Sequence, residues 1–95
     1  MQQIWARTTL KLDSPVDPRK QSLILNMRHV GDVEVYFNGV LAVGVTGSIG
    51  GYDNYDGWPE AVEALRAGDN VIAVHCRKRE DASGQYVDVG LTLEQ

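Results

Sequence analysis

The chain of 95 residues holds one cysteine, Cys76, and that scarcity excludes two architectures. No disulfide can form within the chain, and no Cys-rich zinc site can be built. A single thiol is compatible with cytoplasm, periplasm or secretion, so it does not name a compartment. No apolar stretch approaches the roughly 20 residues needed to cross a bilayer as a helix. The opening Met1-Gln2-Gln3-Ile4-Trp5 lacks a basic region followed by an apolar run, so it does not read as a signal peptide. Cations are also in deficit: 9 Lys and Arg face 13 Asp and Glu, for a net charge of −4. That balance argues against nucleic acid and anionic membrane surfaces, which select for Lys and Arg.

What remains is an ordinary globular composition, 43% hydrophobic and 23% charged. Residues 1–95 suit a single domain, and the chain is compatible with a piece cut from a longer protein. A domain of this size buries roughly 60–70% of its unfolded surface, enough for one core without a deep cavity.

Alternation with period two dominates. Ile4 to Leu12 reads as a first strand, ended by the turn-rich Ser14-Pro15-Val16-Asp17-Pro18. Leu23, Leu25 and Met27 alternate in a second strand, and Gly31-Asp32 turns the chain. Val33, Val35 and Phe37 then alternate with Glu34, Tyr36 and Asn38. Asn38-Gly39 sits between VEVYF and VLAVGV, and both residue types tolerate the positive φ of a type I′ turn. Strands 32–38 and 40–46 are therefore expected as a tight hairpin. Residues 47–58 read as a loop, and Pro59–Ala67 as a short helix with Pro at its start and Gly68 after it. Ile72, Val74 and Cys76 share one face of the next strand. Asp81-Ala82-Ser83-Gly84 is a turn, and Val87, Val89, Leu91 and Leu93 mark the last strand. About six strands, one helical turn and no internal repeat predict an all-β antiparallel sandwich. Leu25, Val33, Val35, Phe37, Ile72, Val74, Val89 and Leu91 are expected to face its core.

Four segments resemble one family. Val33-Glu34-Val35-Tyr36-Phe37-Asn38-Gly39-Val40 resembles the "VYvNG" hairpin of galactose-binding-like jelly-roll domains, the sugar-binding modules of family-2 glycoside hydrolases. Leu65-Arg66-Ala67-Gly68-Asp69-Asn70-Val71-Ile72-Ala73-Val74 is similar to their "L-x-x-G-x-N-x-I-A-V" segment. Trp5-Ala6-Arg7 looks like their "W-x-R" opening strand. Tyr86-Val87-Asp88-Val89-Gly90-Leu91 is similar to the final strand of a subset attached to larger bacterial hydrolases. The resemblance implies a jelly-roll sandwich and a non-catalytic accessory module that touches carbohydrate or braces a hydrolase domain. Such modules usually run longer, and strands before Trp5 are missing from this pattern. A sheet edge completed by another chain, or used for oligomerisation, is the alternative expectation. Fold alone does not carry sugar binding with it.

The candidate ligand residues lie in the glycine-aromatic segment Gly50 to Trp58: Tyr52, Asp53, Asn54, Tyr55, Asp56 and Trp58. Aromatic faces stack on the C–H surface of a sugar, and Asp and Asn side chains bond paired hydroxyls. The same aromatics could instead fold back as lids on the sandwich end. Asp53, Asn54 and Asp56 offer oxygens to a structural calcium, although their spacing does not match an EF-hand loop. No other cofactor is expected. His75 and Cys76 are neighbours on a strand and point to opposite faces, which argues against a Cys–His pair. Cys76 reads as a buried apolar residue and His75 as a partly exposed one. His29 lies on another strand, and two histidines make a poor zinc site. Asp32, Glu34, Asp53, Asp56 and Asp88 are carboxylates, yet no spacing singles out a glycosidase pair. Arg77-Lys78-Arg79 reads as a solvated strand end. No catalytic residue is expected.

Overall fold

The computed structural model describes residues 3–17, 19–30, 32–46, 53–77 and 86–94, with backbone placement alone at 3, 4, 29, 30, 53, 86–88 and 94. Among the described residues, seven strands and one short helix follow in the order β1 (Gln3–Leu12), β2 (Ser22–Val30), β3 (Asp32–Phe37), β4 (Val40–Val45), β5 (Asp53–Asp56), α1 (Pro59–Glu63), β6 (Gly68–Arg77) and β7 (Tyr86–Glu94). They form an antiparallel β-sandwich. One sheet has the order β1-β6-β3-β4 and the other β5-β2-β7.

Alternation along each strand decides which side chains meet. On β3, Val33, Val35 and Phe37 are buried while Asp32, Glu34 and Tyr36 are half-buried on the opposite face. Leu23, Leu25 and Met27 supply the facing row on β2. Each such fully buried side chain contributes roughly 1.5–3 kcal/mol relative to exposure. Ile72 and Cys76 are buried on β6, and Val74, Val89 and Leu91 pack partly buried against the same cluster. The expected core is thus observed.

Asn38 and Gly39 both take positive φ, 50° and 86°, as the type I′ hairpin requires. Their strands are β3 and β4, with a register shift at Val35/Tyr36. Asn38 does more than turn the chain. Its Nδ2–H donates to the Ala64 carbonyl (2.8 Å) and to Asn70 Oδ1 (2.9 Å), and its Oδ1 accepts from the Val71 N–H (2.8 Å). Asn70 is fully buried. Its Oδ1 also accepts from the Arg66 N–H (2.9 Å), and its Nδ2 donates to the carbonyls of Arg66 (2.8 Å), Gly68 and Leu10 (both 3.2 Å). This network explains why the helix is shorter than the expected Pro59–Ala67. The Ala64 carbonyl and the Arg66 N–H are held by asparagine amides. The last turn tightens to Ala64 N–H → Ala61 and Leu65 N–H → Val62 bonds. Gly68, at φ 92°, then starts β6.

Residues 47–58 are not one loop. Asp53–Asp56 form the edge strand β5, paired to β2 from Ile24↔Asp56 to Met27↔Asp53, which raises the strand count from six to seven. Inward packing of Tyr55 beside Leu25 supplies the apolar contact that such a short strand needs. Gly57 follows at a close approach. A Cβ there would meet Val62 Cγ2 at 3.3 Å and Phe37 Cε2 at 3.4 Å. Gly31, the turn at Asp81–Gly84, Lys78, Arg79 and Tyr52 lie outside the described residues.

Candidate functional site

Antiparallel pairing sets residues from different strands in rows across a sheet face. Trp5 of β1 lies opposite His75 of β6, His75 opposite Glu34 of β3, and Glu34 opposite Gly44 of β4. The neighbours of these residues along each strand face the core, so this row faces outward. The Trp5 and His75 rings stack at a centroid distance of 4.1 Å with an interplanar angle of 12°. Tyr36 lies 6.4 Å from Trp5 at 18°. Trp5 remains 56% exposed, while His75 is only 6% exposed. His75 is therefore a buried residue on an outer face, and the expectation of a partly exposed one is corrected. Its Nδ1 is 3.2 Å from Glu34 Oε1. The Tyr36 phenol is held above its ordinary pKa by desolvation, by the Glu34 charge and by a hydrogen bond to Glu34.

A shallow cavity of about 220 Å³ opens beside this row. Asp32, Glu34, Gly44, Thr46, His75 and Arg77 line it. A Cβ on Gly44 would meet nothing within 4 Å, so the strand backbone itself is open to a flat ligand there. The arrangement combines an aromatic face, two carboxylates, a guanidinium and a hydroxyl. It can stack on a ring and bond its polar rim.

The residues singled out from sequence are distributed differently. Asn54 and Asp56 are exposed on the outward face of β5, where Asn54 Oδ1 accepts from Asn26 Nδ2 (2.6 Å). Tyr55 faces the core. Trp58 is 47% exposed immediately before α1, and its carbonyl accepts from Ala61 and Val62 N–H. A smaller cavity of about 120 Å³, lined by Gln21, Ser22, Asp56 and Gly57 among others, lies at that end. Tyr52 is outside the described residues, and Asp53 has backbone placement alone. Of the three aromatics expected together, Trp58 is exposed while Tyr55 is turned away. Among the described residues, no group of three or more His, Cys, Asp or Glu is placed to hold a metal ion. His29 belongs to the three-stranded sheet, whereas His75 faces away from it.

Sequence reasoning missed Trp5 and His75 as neighbours. The available signal was period two: with Ile72, Val74 and Cys76 inward, His75 must point outward. That Trp5 stands beside it depends on the β1–β6 register, which no local pattern encodes. No family model, curated protein or solved structure matches the chain.

Proposed function

We propose that this chain is a non-catalytic, carbohydrate-contacting accessory module of the galactose-binding-like kind, and that its contact face is the outer row around Trp5. One observation carries the reading: an exposed indole, held against His75 at 4.1 Å, stands on the same outer face as a shallow cavity that His75 lines together with Asp32, Glu34 and Arg77. A stacked ring has already lost much of its rotational freedom, so a sugar face docks on it with little further ordering cost. The carboxylates accept hydrogen bonds from paired hydroxyls, and Arg77 donates. Catalysis is not part of the reading. Glu34 is engaged by His75, and the His75 ring is covered, so neither is presented as an acid or base.

The site is open, so affinity is expected on the order of 10 μM to mM, or about −4 to −7 kcal/mol. Titration of neutral and charged oligosaccharides against tryptophan fluorescence tests it, with Trp5→Ala and Trp58→Ala assayed in parallel. Trp5→Ala should abolish binding and leave cooperative unfolding intact, while Trp58→Ala binds as the native chain does. Loss confined to Trp58→Ala would move the site to the β5–α1 end, where Asp56 and the smaller cavity lie. Absence of binding to every glycan would end the carbohydrate reading. Purified protein should not hydrolyse aryl glycosides; turnover removed by one Asp or Glu substitution would overturn the non-catalytic assignment.

A further inference from the structure

The two sheets are unequal, four strands against three. Their alignment is set at one side, where the Trp58 N–H donates to the Ala42 carbonyl of β4 (2.9 Å), so the β5–α1 end lies over β4. Counting across from there, β2 and β7 lie over β3 and β6, and among the described residues no strand of the second sheet lies over β1. Exposure shows the consequence on both sheets. Ala6 and Thr8 pair with Val74 and Ile72, so they face the core side, yet both are exposed while Ile72 is 3% exposed. On β7, Leu93 pairs with the buried Leu23 and faces the same way, yet it is 41% exposed. Among the described residues, the inward-facing strand side chains left exposed, Ala6, Thr8 and Leu93, all lie along this flank. Among the described residues β7 pairs with β2 alone, so its other edge presents backbone N–H and C=O groups to the same gap. The gap is a step one strand wide, with the inner face of β1 as its floor and the β7 edge as its wall.

We infer that this step takes an extended segment of a partner polypeptide, which adds to β7 as a fourth strand and turns apolar side chains toward Ala6, Thr8 and Leu93. The step's chemistry matches such an occupant. The inward row of β1 and β7 along the step, with Leu10, Leu12, Val89 and Leu91, carries no charge, so alternate apolar residues fit it and alternate polar ones face solvent. A second copy fits poorly. Two-fold pairing of β7 with β7 of another copy would drive the two overhanging β1 strands into the same space. Antiparallel pairing through β1 would leave the step open. It would also bring together strands whose only charges, Arg7 and Lys11, are positive. The inference does not depend on what Trp5 binds.

The test uses the full chain and the blocked peptide Lys-Thr-Val-Thr-Val-Thr-Val-Lys. At millimolar peptide, alternate β7 amides should exchange about tenfold more slowly, and the melting temperature should rise. The same peptide N-methylated at its valines, which removes backbone donors, should do neither. Thr8→Glu, at an exposed position, should melt as the native chain does and bind the peptide about tenfold more weakly, because it charges the floor. Protection of β1 amides instead of β7, equal binding by the N-methylated peptide or by Thr8→Glu, or no protection at all would overturn the inference. So would a concentration-dependent dimer in sedimentation that itself protects the β7 edge.

Discussion

Asn70→Ala is expected to be the most damaging single change outside the apolar core. The side chain is fully buried and links the end of the helical segment, the β3–β4 turn and β1. Removing it leaves the Arg66 N–H without its acceptor and takes one of two acceptors from Asn38 Nδ2. The carbonyls of Arg66, Gly68 and Leu10 lose a donor. A buried unsatisfied group costs about 1–3 kcal/mol. Arg66 and Gly68 are exposed residues whose carbonyls water can reach, so the full sum does not apply. A net loss of about 3 kcal/mol follows, a large share of the roughly 5–15 kcal/mol typical of a domain. At about 4–8 °C per kcal/mol for a chain this short, the melting temperature should fall by roughly 12–24 °C. Urea unfolding followed by circular dichroism measures it, with Asn26→Ala in the exposed amide pair as a control within about 0.5 kcal/mol. Asn70→Asp sharpens the test. It keeps both acceptor roles but turns an oxygen toward three carbonyls, so burial and those oxygens raise the folded-state pKa of the new carboxyl above its unfolded value. A raised folded pKa means stability is retained below the unfolded value, about 3.9, and lost as pH rises through the folded one. The Asp variant should therefore recover in acid relative to Asn70→Ala and lose that advantage at neutral pH. If Asn70→Ala unfolds within about 1 kcal/mol of the native chain, the network is not what joins these segments.

Gly39→Val forces a β-branched residue to φ 86° and should cost roughly 1–2 kcal/mol or more, read as a lowered urea midpoint with an unchanged slope. Gly57→Ala places a methyl 3.3 Å from Val62 and 3.4 Å from Phe37 and should destabilise by about 1–3 kcal/mol. An unchanged melting temperature would mean that this junction is looser than the packing shows. The Tyr36 phenol should ionise above the ordinary tyrosine range in ultraviolet titration. Glu34→Gln should bring it part of the way back, because desolvation is the larger cause and stays. A Tyr36 titration identical in the two proteins would remove Glu34 from its surroundings.

Local chemistry was enough to determine the fold class, the hairpin at Asn38-Gly39 and the inward set Leu25, Val33, Val35, Phe37 and Ile72. Period two and positive φ are properties of a few adjacent residues, so they survive without a partner strand. That an Asn close after Gly68 can bond a turn backbone with its side chain was open to local chemistry. The union of Asn70 with Asn38, 32 residues away, was not. Strand β5 was hidden because four residues rich in Asp and Asn have little strand preference of their own, and pairing with β2 supplies what they lack. The Trp5–His75–Glu34 row spans three strands separated by most of the chain, so only the sheet order β1-β6-β3-β4 assembles it. The uncovered flank is more remote still from any local signal. Ala6 and Thr8 carry the alternation of a core-facing strand, yet among the described residues no fourth strand of the second sheet lies over β1 to cover them. Sequence settles which face of a strand is apolar; the stacking of two unequal sheets settles which of those faces is covered.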